Sequence, residues 1–259
     1  MNGPASGSEA ILLLHGQPGS GRDWERVVAL LGPDTSALAP DRPGWDGHSG
    51  PAGLEANGRA ALAALDAKDL GRATVVGHSF GGGVAAWLAV HHPDRVARLV
   101  LVAPAANVVS LHELDRLLAL PLVGSLASAV MLGAAGLVLR TPPVRRQLAD
   151  RFKVDASYLG SLARTLLSPS AWRAFEVEQR AMVRDLPALE RELHRITAET
   201  VIVAGAADRT VPPTAVRMLS TQIPGARLVL IAGAGHLLPQ LHPERLAQVI
   251  LGRERVPVA

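Results

Sequence analysis

The chain has 259 residues and is 48% hydrophobic, which is enough for one substantial core and excludes a low-complexity disordered protein. It contains no cysteine, so disulfide bonds, thiolate chemistry and cysteine-ligated zinc are excluded. The formal net charge is only +3, and no basic run interleaved with aromatic residues indicates a nucleic-acid-binding face. The first residues lack the features of a signal peptide, so we expect a cytoplasmic protein.

Six short aliphatic or β-branched runs predict strands at residues 10–14, 35–39, 73–76, 98–103, 200–204 and 227–231. Several of these runs are apolar on both faces, which is typical of parallel strands buried between helices. Helix-like stretches alternate with them at residues 22–31, 57–70, 82–92, 212–222 and 243–251. The alternation predicts a doubly wound, mainly parallel α/β sheet of about six strands flanked by helices.

Residues 104–197 depart from this alternation, because their pattern is helical and contains no credible strand. We interpret them as an inserted helical cap, which is divided into several helices by Pro142, Pro143, Pro169 and Pro187. The α/β core is then made of a first part, residues 1–103, and a second part, residues 198–259.

Within the cap, residues 117–139 form a run of 23 residues without a charge, which is long enough for a transmembrane helix. Pro121 and three glycines interrupt this run, and it lies between strands that must pair in one sheet. We therefore favour a soluble protein in which an apolar helix pair lines the substrate site, and we predict no membrane span.

The sequence Gly77-His-Ser79-Phe-Gly81 matches the pattern Gly-x-Ser-x-Gly between a predicted strand and a predicted helix. A sharp strand-to-helix turn holds the central serine in a strained conformation and exposes its hydroxyl, while the glycines relieve the crowding. This context favours Ser79 as a nucleophile over a Gly-rich turn with an incidental serine. We interpret His78 as a bystander, because adjacent side chains on a tight turn point apart.

A serine hydroxyl needs a general base, and His236 lies just past the last predicted strand, at the sheet edge that presents Ser79. His48 is the one serious rival, although an ordinary loop at the rim of the site accounts for it better. Asp208 also follows a strand and is the carboxylate expected to orient His236. The chain order of serine, aspartate and histidine is that of α/β-hydrolases.

The oxyanion formed by attack on a carbonyl requires two preorganised N–H donors. The backbone N–H of Phe80, the residue after the nucleophile, is the first candidate. The second is expected in the loop His15-Gly-Gln17-Pro-Gly19, where we choose the backbone N–H of Gln17. Pro18 has no N–H to offer, and the glycines allow the loop to approach closely.

These residues resemble the α/β-hydrolase fold superfamily, specifically its capped serine-hydrolase branch. The motifs HGxPG, DRPG, GHSxGG, a late Asp-x-x-x-Pro and a terminal GH occur in order between residue 11 and about residue 250. The resemblance implies an esterase, a C–C hydrolase, a haloperoxidase-like enzyme or a relative of these, acting without a cofactor or metal through an acyl-serine.

The chain departs from the family pattern at two places. The family usually has about two antiparallel strands before the HG strand, and the start of that strand near Ala10 leaves no room for them. The strand at 35–39 is then expected to be an exposed edge, which favours either a homodimer or another cover for that edge. In the loop DRPGWDGHS, Asp46 is an insertion and His48 precedes Ser49.

The resulting hypothesis is a serine hydrolase that acts on an ester-like or other activated carbonyl of a small, largely apolar molecule. The alternatives are a C–C hydrolase or biosynthetic enzyme that reuses the triad, and a ligand-binding receptor with little turnover. Trp45 and Trp172 are candidate walls of the pocket, although such aromatic residues more often belong to the core. The cap carries 12 basic and 9 acidic residues, and its arginines either bind a substrate carboxylate or form solvated surface.

Overall fold

The computed structural model describes residues 10–33 and 35–253. Within them, six strands form one sheet: β1 (Ala10–Leu14), β2 (Ala37–Leu38), β3 (Ala73–His78), β4 (Val96–Val102), β5 (Glu199–Gly205) and β6 (Arg227–Ile231). The strand order is β2-β1-β3-β4-β5-β6, and every neighbouring pair is parallel. The predicted parallel α/β sheet of six strands is confirmed.

The helices that flank this sheet are α1 (Glu25–Leu31), α2 (Leu54–Asp66), α3 (Phe80–His91), α9 (Pro213–Gln222), α10 (Leu238–Leu241) and α11 (Pro243–Ile250). Successive side chains of a strand point to opposite faces, so the sheet supplies two separate cores. Leu12 and Leu14 pack on the side of α2, α3 and α9, whereas Ile11 and Leu13 pack on the side of α1 and α11. Burial on both faces explains why these strands read as continuous apolar runs.

The predicted edge strand at 35–39 shortens to β2, which pairs with β1 through only two residues. A very short strand presents few unpaired backbone groups, which is a common way to protect a sheet edge. The expectation that two strands are missing before Ala10 concerns residues 1–9, which lie outside the described residues.

Between β4 and β5 the chain forms the expected helical insertion: α4 (Glu113–Leu118), α5 (Val123–Arg140), α6 (Pro142–Phe152), α7 (Ala156–Leu166) and α8 (Pro169–Glu192). Pro142 and Pro169 begin helices, as the sequence indicates. Pro187, however, lies inside α8 and does not break it. The neighbouring Leu186 and Leu189 are buried in the main core, and this burial offsets the cost of a proline within the helix.

The apolar run at 117–139 differs from the expected pair of helices that line the site. Most of it forms the single helix α5, which is the one helix in the described residues long and apolar enough by length and composition to span a membrane. Its side chains are largely exposed, and none of them lines the cavity beside His236. Periodicity in the sequence shows an apolar helix, but it does not show which of its sides faces the protein.

Candidate active site

The backbone at Ser79 makes a sharp turn between the end of β3 and the start of α3. Ser79 has φ of 53° and ψ of −119°, a conformation in which a residue with a side chain is strained. A Cβ placed at Gly77 would lie 2.2 Å from the carbonyl oxygen of Gly81, and one at Gly81 would lie 2.4 Å from that of Leu14. The turn therefore fits between the strands only because both flanking positions are glycine.

The loops after β1 and β3 meet at the point where the strand order reverses. In open α/β sheets, ligands bind at this switch point, outside the carboxyl ends of the strands. Gly16 packs directly on the nucleophile candidate, because a Cβ added there would lie 3.0 Å from the Cβ of Ser79. The backbone N–H groups of Gln17 and Phe80 donate no hydrogen bond within the described part of the chain, so both remain free to hold an oxyanion.

Asp208 and His236, which follow β5 and β6, form the pair expected from the sequence. The His236 Nδ1–H donates to Asp208 Oδ2 over 2.8 Å, and the backbone N–H groups of Thr210 and Val211 donate to Asp208 Oδ1 at 2.8 and 3.0 Å. Burial opposes ionisation of the Asp208 carboxyl, but these hydrogen bonds outweigh it and lower the pKa of the group. The carboxylate is therefore ionised at neutral pH and fixes the tautomer of His236.

Ser79 and His236 lie at the same edge of the sheet, but their side chains form no hydrogen bond with each other among the described residues. Ser79 is largely buried, with 8% of the residue exposed. In unliganded enzymes the bond between nucleophile and base is often long and tightens only when substrate is bound. Of the two hydrogen bonds in the predicted triad, the one between Asp208 and His236 is formed.

His78 does more than the bystander role that the sequence suggested. Its Nε2–H donates to the backbone carbonyl of His236 over 3.0 Å, and the two imidazole rings lie 4.9 Å apart between centroids. Burial, reinforced by the nearby His236 ring, lowers the pKa of His78 to about 3. A neutral His78 can thus hold the backbone of the candidate base without adding a positive charge beside it.

A cavity of about 230 Å³ opens beside His236 and the loop Gly16–Pro18. Its wall is mostly apolar, and the cap contributes side chains that include Phe152, Leu159 and Leu162. Pockets of this type surround an apolar ligand and use a few polar groups to orient it. Sequence reasoning missed these cap residues, because contacts between α6, α7 and the sheet edge leave no local pattern.

One end of this cavity is polar. The hydroxyl of Tyr158, on α7, donates to Asp23 Oδ1 over 2.9 Å and accepts a hydrogen bond from the Gln240 amide over 3.3 Å. Burial raises the pKa of Asp23 to about 7, against the effect of the Tyr158 hydrogen bond. Gln240 lines the cavity, and its Oε1 is buried and has no hydrogen-bond partner among the described residues.

A buried ion pair joins the cap to the loops of the site. Arg42 is paired with Glu178 of α8, and it also donates to the carbonyl oxygens of His15 and Gly16, each over 2.9 Å. Its guanidinium lies 4.7 Å from the centre of the Phe80 ring. Arg42 therefore supports both loops that carry the candidate oxyanion donors and connects them to the cap.

The other residues singled out from the sequence lie away from the cavity. Neither Trp45 nor Trp172 lines the cavity. The indole N–H of Trp45 donates to Glu178, and that of Trp172 donates to the carbonyl of Leu166. His48 is exposed and bonded to the carbonyl of Asp46, as expected for a rim loop. The described residues contain no group of three or more His, Asp or Glu that could hold a metal ion.

Comparison with known proteins is consistent with this geometry. A 2-hydroxymuconate semialdehyde hydrolase of Pseudomonas putida is 30% identical over 231 residues, which cover 82% of this chain and 74% of the relative. The fold is shared with an enol-lactonase of Burkholderia xenovorans (TM-score 0.73, 21% identity, 95% of this chain and 91% of the other). It is also shared with a thermophilic esterase of Thermogutta terrifontis (TM-score 0.67, 24% identity, 95% and 90%). The family model for the alpha/beta hydrolase family matches residues 11–249, and the chain therefore belongs to that family.

Proposed function

We propose that this alpha/beta hydrolase is a serine hydrolase that cleaves an ester-like carbonyl of a small, largely apolar molecule. The observation that carries the proposal is the position of Ser79 on a strained turn beside an Asp208–His236 pair that is already hydrogen-bonded. A nucleophile, a base and a group that orients the base are the three parts that acyl transfer to serine requires.

In the first half of the reaction, Ser79 Oγ attacks the carbonyl carbon while His236 Nε2 accepts the hydroxyl proton. The negative charge that develops on the carbonyl oxygen is stabilised by the N–H groups of Gln17 and Phe80. His236 then returns the proton to the leaving oxygen, and the acyl group stays on Ser79. Water then attacks the acyl-serine while His236 accepts its proton, and His236 returns that proton to Ser79 Oγ as the acid is released.

The cavity supports a small substrate, because about 230 Å³ is below the usual range for drug-sized ligands. Its apolar wall suits the hydrocarbon part of such a molecule. At the polar end, Gln240 Oε1, which has no hydrogen-bond partner among the described residues, suits a substrate that carries a hydroxyl or another hydrogen-bond donor.

C–C bond hydrolysis is the second candidate, and the similarity to a 2-hydroxymuconate semialdehyde hydrolase favours it. A substrate of that kind that bears a carboxylate needs a cation in the site. The described residues place no arginine or lysine in the cavity wall. The cavity therefore favours a neutral ester over an anionic substrate.

Turnover of p-nitrophenyl esters with acyl chains of two to sixteen carbons tests the proposal. We expect hydrolysis that peaks at short chains, and complete loss in Ser79→Ala, with Ser49→Ala as the matched control that retains activity. Cleavage of 2-hydroxymuconate semialdehyde, with no ester turned over, would favour the C–C hydrolase. Substrate binding without turnover of either class would favour a receptor.

A further inference from the structure

Helix α5 turns its apolar side away from the protein. Val123, Leu126 and Val130 are 49%, 69% and 63% exposed, and Leu137 and Val138 continue the same stripe to the end of the helix. At 100° per residue these positions form one continuous face. The buried side carries Gly124, Ser128, Leu132 and Gly136, and three of these four residues are small. A surface helix normally has the opposite arrangement, with its apolar stripe against the core.

We name this stripe, with the preceding Leu122, the apolar cap face: Leu122, Val123, Leu126, Val130, Leu137 and Val138. It lies within a wider concentration of exposed hydrophobic side chains, because ten of the fifteen large ones exposed in the described residues fall between Leu114 and Val138. Single exposed hydrophobic residues are normal, but a contiguous patch marks a surface that is covered by something else.

The charges within the chain segment that forms the apolar cap face are all of one sign, although Glu113, Asp115 and Asp150 lie just outside that segment and Glu176 of α8 contacts Ser125. Between Arg116 and Ala149 the chain contains four arginines and no aspartate or glutamate. Arg140 and Arg146 are exposed, and neither forms an ion pair among the described residues. A second copy of the chain placed on the same face would offer no acidic partner from this segment. Anionic lipid headgroups offer a complementary charge next to an apolar layer.

We propose that the apolar cap face docks the protein on an anionic lipid surface, with α5 lying in the interface and Arg140 and Arg146 at the headgroups. The helix lies on the membrane and does not cross it, because its opposite side packs against α7 and α8 in the folded cap. Its 18 residues give a contact about 27 Å long. The docking surface is separate from the cavity, so this proposal does not depend on the reaction.

Co-sedimentation with vesicles tests the apolar part of the proposal. We expect the full chain to bind phosphatidylcholine vesicles that contain 30% phosphatidylglycerol, and to bind at least about tenfold more weakly in Leu126→Gln/Val130→Gln. Leu30→Gln/Met218→Gln removes two exposed hydrophobic side chains from the α/β core and is the matched control. Circular dichroism melting and turnover of a soluble ester check that the cap variant is folded.

The contribution of the positive charges is tested with Arg140→Gln/Arg146→Gln. We expect vesicle binding to weaken about fivefold for each arginine removed. Ser79→Ala should bind vesicles as the parent does, which separates this proposal from the catalytic one. Three results would overturn the proposal. They are a parent chain that does not bind the vesicles, a parent chain that binds pure phosphatidylcholine equally well, and a Leu126→Gln/Val130→Gln variant that binds as strongly as the parent. A parent dimer in light scattering that this double variant converts to monomer would assign the face to a second copy instead.

Discussion

In the α/β core, the candidate catalytic groups are attached to the ends of buried strands, whereas in the cap the groups that shape the cavity are attached to helices. Ser79, Asp208 and His236 follow β3, β5 and β6, so the pairing of the sheet fixes their separation. The cap is joined to that edge through buried polar clusters, among them Arg42–Glu178 and Asp23–Tyr158. The proposed chemistry therefore depends on the backbone of the sheet, whereas the proposed choice of substrate depends on side chains that meet over long sequence distances.

The largest effect on activity is expected from a change in the acid–base pair of the core, Asp208 and His236. Asp208→Asn keeps the shape of the site but supplies an amide that favours the wrong His236 tautomer, so kcat should fall by about 10⁴. Steady-state ester hydrolysis measures the loss, and urea unfolding should show a stability close to that of the parent. Asp94→Asn, at an exposed position, is the control. If Asp208→Asn keeps more than a tenth of the parent activity, another carboxylate orients His236.

A second test breaks the backbone of the turn. In Gly81→Ala the new Cβ would overlap the backbone carbonyls of Leu14 and His15, at 2.4 and 2.5 Å. Because neither carbonyl can move without distorting β1, we expect a loss of more than about 4 kcal/mol in the free energy of unfolding, measured with urea. Gly71→Ala is the matched control, since nothing lies within 4 Å of its new Cβ. Equal stability of the two variants would contradict the rigidity assigned to the turn.

The junction between core and cap should respond less strongly. Glu178→Gln leaves the Arg42 charge buried without its partner, which typically costs about 3 kcal/mol or more. Urea unfolding should record this loss, and hydrogen exchange should increase in α8. Glu113→Gln removes an ion pair whose carboxylate is 87% exposed, and we expect a change of at most about 1 kcal/mol. If the two variants behave alike, the buried pair does not hold the cap.

The smallest effect concerns Asp23, at the polar end of the cavity. Burial raises its pKa from 3.8 to about 7, so the folded protein binds a proton that the unfolded chain has released in this interval. The stability contributed by this group is therefore complete below pH 3.8 and is lost as the pH rises to about 7. Asp23→Asn retains the acceptor for Tyr158 and should abolish this dependence. We expect its stability relative to the parent to rise by about 2.7 kcal/mol between pH 5 and pH 8 in urea unfolding.

Sequence reasoning was strongest for the sheet and for the chemical groups at its edge. The six strands are apolar runs, the turn at Ser79 has a local glycine pattern, and Asp208 and His236 each follow a strand directly. Each of these signals is contained in a few adjacent residues, and parallel pairing brings the strand ends together. The structure places all three groups at one edge, while their catalytic roles remain predictions.

The contacts of the cap could not be predicted from the sequence in the same way. Trp45 meets Glu178 across 133 residues, and Tyr158 meets Asp23 across 135, so no local pattern reports either contact. Helix α5 was expected to turn its apolar side inward. Instead, Gly124, Ser128 and Gly136 occupy the packed side. Small residues four apart allow close helix packing, and that spacing was the signal available in the sequence.

The role of Ser79 is tested most directly by covalent labelling with a fluorophosphonate, with the modified peptide identified by mass spectrometry. We expect a single label on the peptide that contains Ser79, no label in Ser79→Ala, and strongly slowed labelling in His236→Ala. Ser49→Ala, in the rim loop, should label at the rate of the parent. A folded parent chain that takes up no label, or takes it up at another serine, would contradict the assignment of Ser79 as an activated nucleophile.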